Sequence, residues 1–107
     1  MSLDVTLRNE DNDEVYSDNI THNLGAMAKE AGVYMFLWRP DEINVTHAHQ
    51  LIEPLTDACA LLATEKARFA AFNPQNGWGA YEDLLAFCAS YLQACKDNPN
   101  ALVSVSR

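Results

Sequence analysis

The stretch YEDLLAFCASYLQACKDNPNALVSVS, Tyr81 to Ser106, contains in succession the two kinds of element that decide the fold. Tyr81, Leu84, Leu85, Cys88, Tyr91, Leu92 and Cys95 recur every three or four residues, so they form one apolar stripe along a helix. Glu82 and Asp83 complement the positive end of the helix dipole, and Lys96 complements the negative end. Asn98-Pro99 ends the helix, because proline has no N–H to donate and biases the preceding residue away from helical angles. From Ala101 to Ser106 the period changes to two and the composition becomes strand-like. A single C-terminal strand needs a partner, and the partner lies at the other end of the chain.

There, Asp4-Val5-Thr6-Leu7-Arg8 alternates as a half-buried strand does, and Glu14-Val15-Tyr16-Ser17 can return beside it across the polar turn Glu10 to Asp13. The C-terminal strand then adds an edge to this hairpin. Ile20, Leu24, Met27, Ala28 and Ala31 predict a first helix over about Ile20–Ala31, capped by Asp18 or Asn19 and ended by Gly32 at C′. The apolar run Val33 to Trp38 fits a buried strand and a short helix equally. Ala48, Leu51, Ile52, Leu55, Ala58, Cys59 and Leu62 predict a second helix over about Thr46–Ala63, kinked near Pro54, which leaves the Gln50 carbonyl without its helical donor. A third short piece spans about Thr64–Phe72. The expected architecture is α+β: one domain, residues 1–107, with three or four helices packed on a small antiparallel sheet of N-terminal hairpin plus C-terminal strand.

Hydrophobic residues make up 49% of the 107, enough to bury roughly two thirds of the unfolded surface without disulfides or metal. Fifteen acids face seven bases, a formal charge of −8, and Asp4, Glu10, Asp11, Asp13, Glu14 and Asp18 fall in the first eighteen residues against Arg8 alone. Such a balance repels phosphate backbones and anionic membranes, which argues against nucleic-acid or membrane partners. It suits solubility, or attraction to a basic protein surface. Cys59, Cys88 and Cys95 include no CxxC pair, and Cys88 and Cys95, two helical turns apart, sit about 10 Å from each other, too far to bridge. All three are expected as buried thiols. No leader and no membrane-spanning apolar run is evident, so a cytoplasmic location is expected and the sequons at Asn19 and Asn44 are chance matches.

Sites of familiar chemistry are missing. There is no nucleophile elbow, phosphate loop or paired-cysteine zinc motif, and no cofactor is expected. His47 and His49 point about 200° apart on a helix and meet only if that turn is extended, so metal binding is not expected. The run Glu10 to Glu14 lacks the glycine and distal glutamate of an EF-hand and reads as a solvated turn.

Two segments remain. In Asn73-Pro74-Gln75-Asn76-Gly77-Trp78-Gly79-Ala80-Tyr81-Glu82-Asp83 two glycines bracket a tryptophan where a loop becomes a helix, so at least one of them is expected at positive φ. Trp78 is then either a plug sealing the core or a ligand platform, and the plug is favoured. On a helix from Ile20, Asn19, His22 and Asn23 share one side, where they bind a polar ligand, supply a general base at His22, or serve only as cap and solvated surface. Asn19, His22, Asn23, Trp78, Tyr81 and Glu82 form the candidate binding set; no residue is assigned as catalytic.

The stretches Asn19 to Leu24, Leu37 to Ile43, Asn73 to Gly79 with Tyr81-Glu82, and Val103 to Arg107 together resemble a group of small uncharacterised proteins encoded in bacteriophage and prophage genomes. The resemblance covers most of the chain. It implies a phage-related origin and carries over no catalytic residue. Two functions are therefore expected as alternatives: an acidic interaction or accessory protein that binds a basic host or phage protein, or a small-molecule binder or minor enzyme with its pocket between the first helix and the Gly-Trp-Gly turn.

Overall fold

The computed structural model describes residues Met1–Arg107. Strand β1 (Ser2–Arg8) turns into β2 (Glu14–Thr21), and β3 (Leu102–Ser106) pairs with the opposite edge of β1. Both pairings are antiparallel and the order is β2-β1-β3, the hairpin plus C-terminal edge expected. Between β2 and β3 lie α1 (Gly25–Glu30), α2 (Tyr34–Trp38), α3 (His49–Thr64), α4 (Lys66–Ala70) and α5 (Tyr81–Asp97), with 3-10 turns at His22–Leu24 and Pro40–Ile43. The fold is α+β, with five helices. None is long and apolar enough to cross a membrane.

The period of two in β1 fixes the layers. Leu3, Val5 and Leu7 are fully buried while Ser2 and Asp4 are exposed. Register places Leu3 opposite Ile20, Leu7 opposite Tyr16 and Val103, and Val5 opposite Val105, so one sheet face is apolar except for Asp18, which stands opposite Val5 on the edge strand. α5 packs near β2 on that side, and α3 packs on α5. The α5 stripe buries Tyr81, Leu84, Phe87, Cys88, Tyr91, Ala94 and Cys95, with Leu85 and Leu92 at its margins. The other sheet face, with Ser2, Asp4, Ser17, Asn19, Ser104 and Ser106, is exposed. This is the usual division of a sheet covered on one side only.

Gly32, at φ +76, ends α1 as the sequence predicts. Its N–H donates to the Lys29 carbonyl and that of Val33 to the Ala28 carbonyl, the paired bonds of a Schellman ending. The acidic turn is organised by Asn9, whose Oδ1 accepts the N–H groups of Asp11 and Asp13. Asn12 supplies the left-handed residue, φ +64.

Two expectations change, and one open alternative is decided. The first helix does not begin at Ile20: β2 runs on to Thr21, with Ile20 opposite Leu3 and Thr21 opposite Ser2, and the α-helix starts only at Gly25. Ile20 satisfies a strand's inward position as well as a helix stripe, and cross-strand pairing decides between them. The second helix starts at His49 instead of Thr46, because residues 46–49 pair with the C-terminal segment. Val103 N–H donates to the Thr46 carbonyl, Ala48 N–H to that of Ala101 and His49 N–H to that of Pro99. Gln50 Oε1 accepts from the N–H groups of Thr46 and His47, which fixes the turn that leads into the shortened helix. In that turn the His47 and His49 rings stack at 5.7 Å, yet no group of three or more potential ligands gathers there or elsewhere. The run Val33 to Trp38 takes its helical alternative as α2.

Cys88 and Cys95 are buried, but Cys59 is only partly so, which corrects the expectation for that residue. Burial raises all three thiols above their ordinary range, Cys95 to about 12. Since the thiolate is the nucleophile, native protein at pH 8 should react with an aromatic disulfide reagent at Cys59 alone and slowly. Rapid release of three equivalents would contradict the packing of α5.

The Tyr91 hydroxyl is buried without a hydrogen-bond partner, its ring stacked on Tyr16 and edge-on to Phe87. An unpaired buried hydroxyl costs about 1–3 kcal/mol. Tyr91→Phe should therefore leave stability unchanged or raise it by about 1 kcal/mol, read as the midpoint of urea unfolding; a clear loss would mean that the hydroxyl is bonded.

Candidate functional site

The loop between α4 and α5 is tied at four points. Gly77 N–H donates to the Pro74 carbonyl at 3.2 Å, and Trp78 N–H to Asn76 Oδ1 at 2.9 Å. Tyr81 N–H donates to Asn73 Oδ1 at 2.8 Å, and Ala80 N–H to Asp83 Oδ2 at 2.9 Å, which caps α5. Gly77 and Gly79 both take positive φ, +78 and +102, as the sequence led one to expect. Gly79 also lies against the end of the sheet: a Cβ placed there would stand 2.8 Å from Thr21 Cγ2 and 3.2 Å from Leu24 Cγ.

The tryptophan between them is not a plug. Trp78 is 72% exposed, whereas Trp38 is 3% exposed and belongs to the core. The bracketing glycines reverse the relation the sequence suggested: the bare backbone of Gly79 is what meets Thr21 and Leu24, and Trp78 is held outward. Beside it lies an open hollow of about 370 Å³ between the end of β2, the loop and α5, lined among others by Asp18, Asn19, Trp78, Asp83, Phe87 and Ser90. Two carboxylates line it and no lysine or arginine does. Asp18 Oδ2 accepts the Tyr16 hydroxyl at 3.3 Å. Burial, with Asp18 adding to it, pushes the Tyr16 phenol well above its ordinary range, so this bond keeps its donor at any physiological pH.

Of the six predicted residues, Asn19 and Trp78 share this hollow. The other four do not line it. His22 and Asn23 lie on the 3-10 turn, so no helix sets Asn19, His22 and Asn23 on one side as expected. Asn23 is exposed, its N–H donating to Thr21 Oγ1. His22 Nδ1 accepts the Trp38 indole N–H at 2.9 Å; an indole only donates, so this bond places the histidine proton on Nε2. Tyr81 is buried, and its hydroxyl donates to the Leu62 carbonyl, among the last four of α3 that have no donor within the helix. Glu82 is exposed, 3.9 Å from Lys66 Nζ. Asp18, Asp83, Phe87 and Ser90 were not among the candidates. Asp83 was legible only as a dipole partner, and Asp18 faces the hollow because β2 continues past Ser17.

Ser90 has no histidine among its neighbours in the hollow and is not hydrogen-bonded to Asp18 or Asp83, whose Oδ2 atoms accept from Tyr16 and Ala80 instead, so no nucleophile is paired with a base there. What the arrangement offers is recognition: an aromatic side chain on a braced loop, at the edge of an acidic depression. The chain matches no protein-family model, no curated protein and no solved structure.

Proposed function

We propose that this is a small acidic interaction protein of phage or prophage origin, acting in the cytoplasm, that docks a basic host or phage protein through Trp78 and the adjoining hollow. The observation that carries this reading is the exposure of Trp78 on a loop fixed by hydrogen bonds at both ends. Tryptophan is among the residues that most often dominate binding energy at protein interfaces, and a pre-ordered loop reduces the entropy lost on docking. The two carboxylates in the hollow and the overall charge of −8 favour a partner of opposite sign. Nucleic acid is a poor partner for the same electrostatic reason.

The test is capture from a bacterial lysate with wild-type and Trp78→Ala baits at two salt concentrations. A hot-spot residue typically contributes 2 kcal/mol or more, about thirtyfold in affinity. The expected result is a partner held by the wild type, released by higher salt and lost with Trp78→Ala, whose melting temperature stays within about 2 °C of the wild type. Equal capture by both baits would reject Trp78 as the anchor. A small molecule seated in the same hollow is the second reading, favoured by the volume of about 370 Å³. It predicts that the wild-type melting temperature depends on a dialysable component of the lysate.

A further inference from the structure

On the other side of the 3-10 turn, where His22 follows Thr21, lies a hollow of opposite character. It measures about 430 Å³ and is lined by His22, Gly25, Ala26, Lys29, Tyr34, Trp38, Arg39 and Arg107. Three of the seven lysines and arginines in the chain are in this wall, and no aspartate or glutamate is. Lys29, Tyr34 and Arg39 also line an adjoining hollow of about 550 Å³. In a protein of net charge −8 this is a local reversal of sign.

The cations are held in place. Arg107 Nη1 donates to the Trp38 carbonyl and to Asp41 Oδ1, both at 2.8 Å, and Arg39 Nη1 pairs with Glu42 at 2.6 Å. Each guanidinium keeps further N–H groups, since it carries five. Lys29 has no carboxylate within ion-pair distance; its Nζ sits 4.7 Å from the Tyr34 ring centroid. That ring in turn stacks on Trp38, with centroids 5.2 Å apart. Trp38 also fixes the His22 tautomer, leaving Nε2–H as a donor. Asp41 and Glu42 each neutralise one arginine, which leaves the Lys29 charge and the donors of four side chains.

We propose that this hollow is an anion site, separate from the Trp78 hollow, that takes the phosphate group of a small organic phosphate monoester. Such a group carries about −1.5 to −2 charge at neutral pH and three acceptor oxygens, which matches an unpaired ammonium flanked by guanidinium N–H groups and a neutral imidazole donor. A monocarboxylate presents half the charge and fewer acceptors. The volume suits a small ligand.

The test is titration of the full chain, labelled with nitrogen-15, with inorganic phosphate and with phenyl phosphate at constant ionic strength, using acetate and chloride as controls. Saturable shifts are expected for His22, Gly25 and Tyr34, with Trp78 unmoved, and phenyl phosphate should bind more tightly than inorganic phosphate. Lys29→Gln and Arg39→Gln, both at solvent-accessible positions, should fold normally and each weaken binding at least tenfold. The absence of saturation up to about 20 mM phosphate, where even a weak millimolar site would be filled, overturns the proposal. Shifts of equal size with acetate, or shifts unchanged in both variants, overturn it as well.

Discussion

Trp38→Ala should lower the stability of the protein by about 3–5 kcal/mol, the range for a large aromatic removed from a core. For a domain near 100 residues this corresponds to a fall in melting temperature of well over 10 °C, since 1 kcal/mol moves it by about 4–8 °C. Trp38 is 3% exposed, its ring stacks on Tyr34, its indole N–H bonds His22, and its carbonyl receives Arg107 from the C-terminal end. Truncation removes the packing and leaves His22 Nδ1 without its donor. Trp38→Phe separates the two losses: it keeps most of the volume and should cost only the hydrogen bond and some packing, about 1–2 kcal/mol. Circular-dichroism melts of both variants beside Trp78→Ala give the check. If Trp38→Ala melted as close to the wild type as Trp78→Ala is expected to, the assignment of the core tryptophan would be wrong.

The contrast between the two tryptophans marks where sequence reading stops. α5, β1 and β3 are legible because each has a clean period, a stop signal and no competing partner: Tyr81 and Asn98-Pro99 bound α5 as observed. Gly32 and the two loop glycines are legible because positive φ is a local requirement. Elsewhere the outcome depends on pairing between distant residues. Ile20 and Thr21 join β2 because Leu3 and Ser2 stand opposite them, and Thr46 to Ala48 stay out of the helix because the segment Pro99 to Val103 pairs with residues 46–49. Neither partner is visible in a local window. Tryptophan burial has the same origin. The apolar run around Trp38 was ambiguous between strand and helix, and Gly77-Trp78-Gly79 gave no sign of which residue would face Thr21. Of the six candidates, Asn19 and Trp78 meet at one hollow, Tyr81 and His22 are bonded into the structure, and Asn23 and Glu82 are exposed away from it.

Gly79 links the stability of the fold to the presentation of Trp78, and its replacement should damage both. At φ +102 an L side chain is strained whatever the space, at about 1–3 kcal/mol. The space is also taken: a Cβ would stand 2.8 Å from Thr21 Cγ2, and Thr21 is held by β1 pairing, so relief requires the loop to move. Overpacking of this kind adds about 1–3 kcal/mol, and Gly79→Ala should lose about 2–6 kcal/mol in all. Gly77→Ala is the internal control. Its φ of +78 carries strain, but nothing lies within 4 Å of the added methyl, so about 1–2 kcal/mol is expected. The two substitutions also differ in function from Trp78→Ala. Removal of the indole should abolish partner capture and leave melting unchanged, whereas Gly79→Ala should lower the melting temperature and weaken capture together, because the loop that carries Trp78 is displaced from Thr21 and Leu24. Urea unfolding and lysate capture on the three variants measure both quantities. If Gly79→Ala unfolded at the wild-type midpoint, the close approach of the loop to β2 would not be what holds Trp78 outward, and the bonds from Asn73, Asn76 and Asp83 would have to brace it alone.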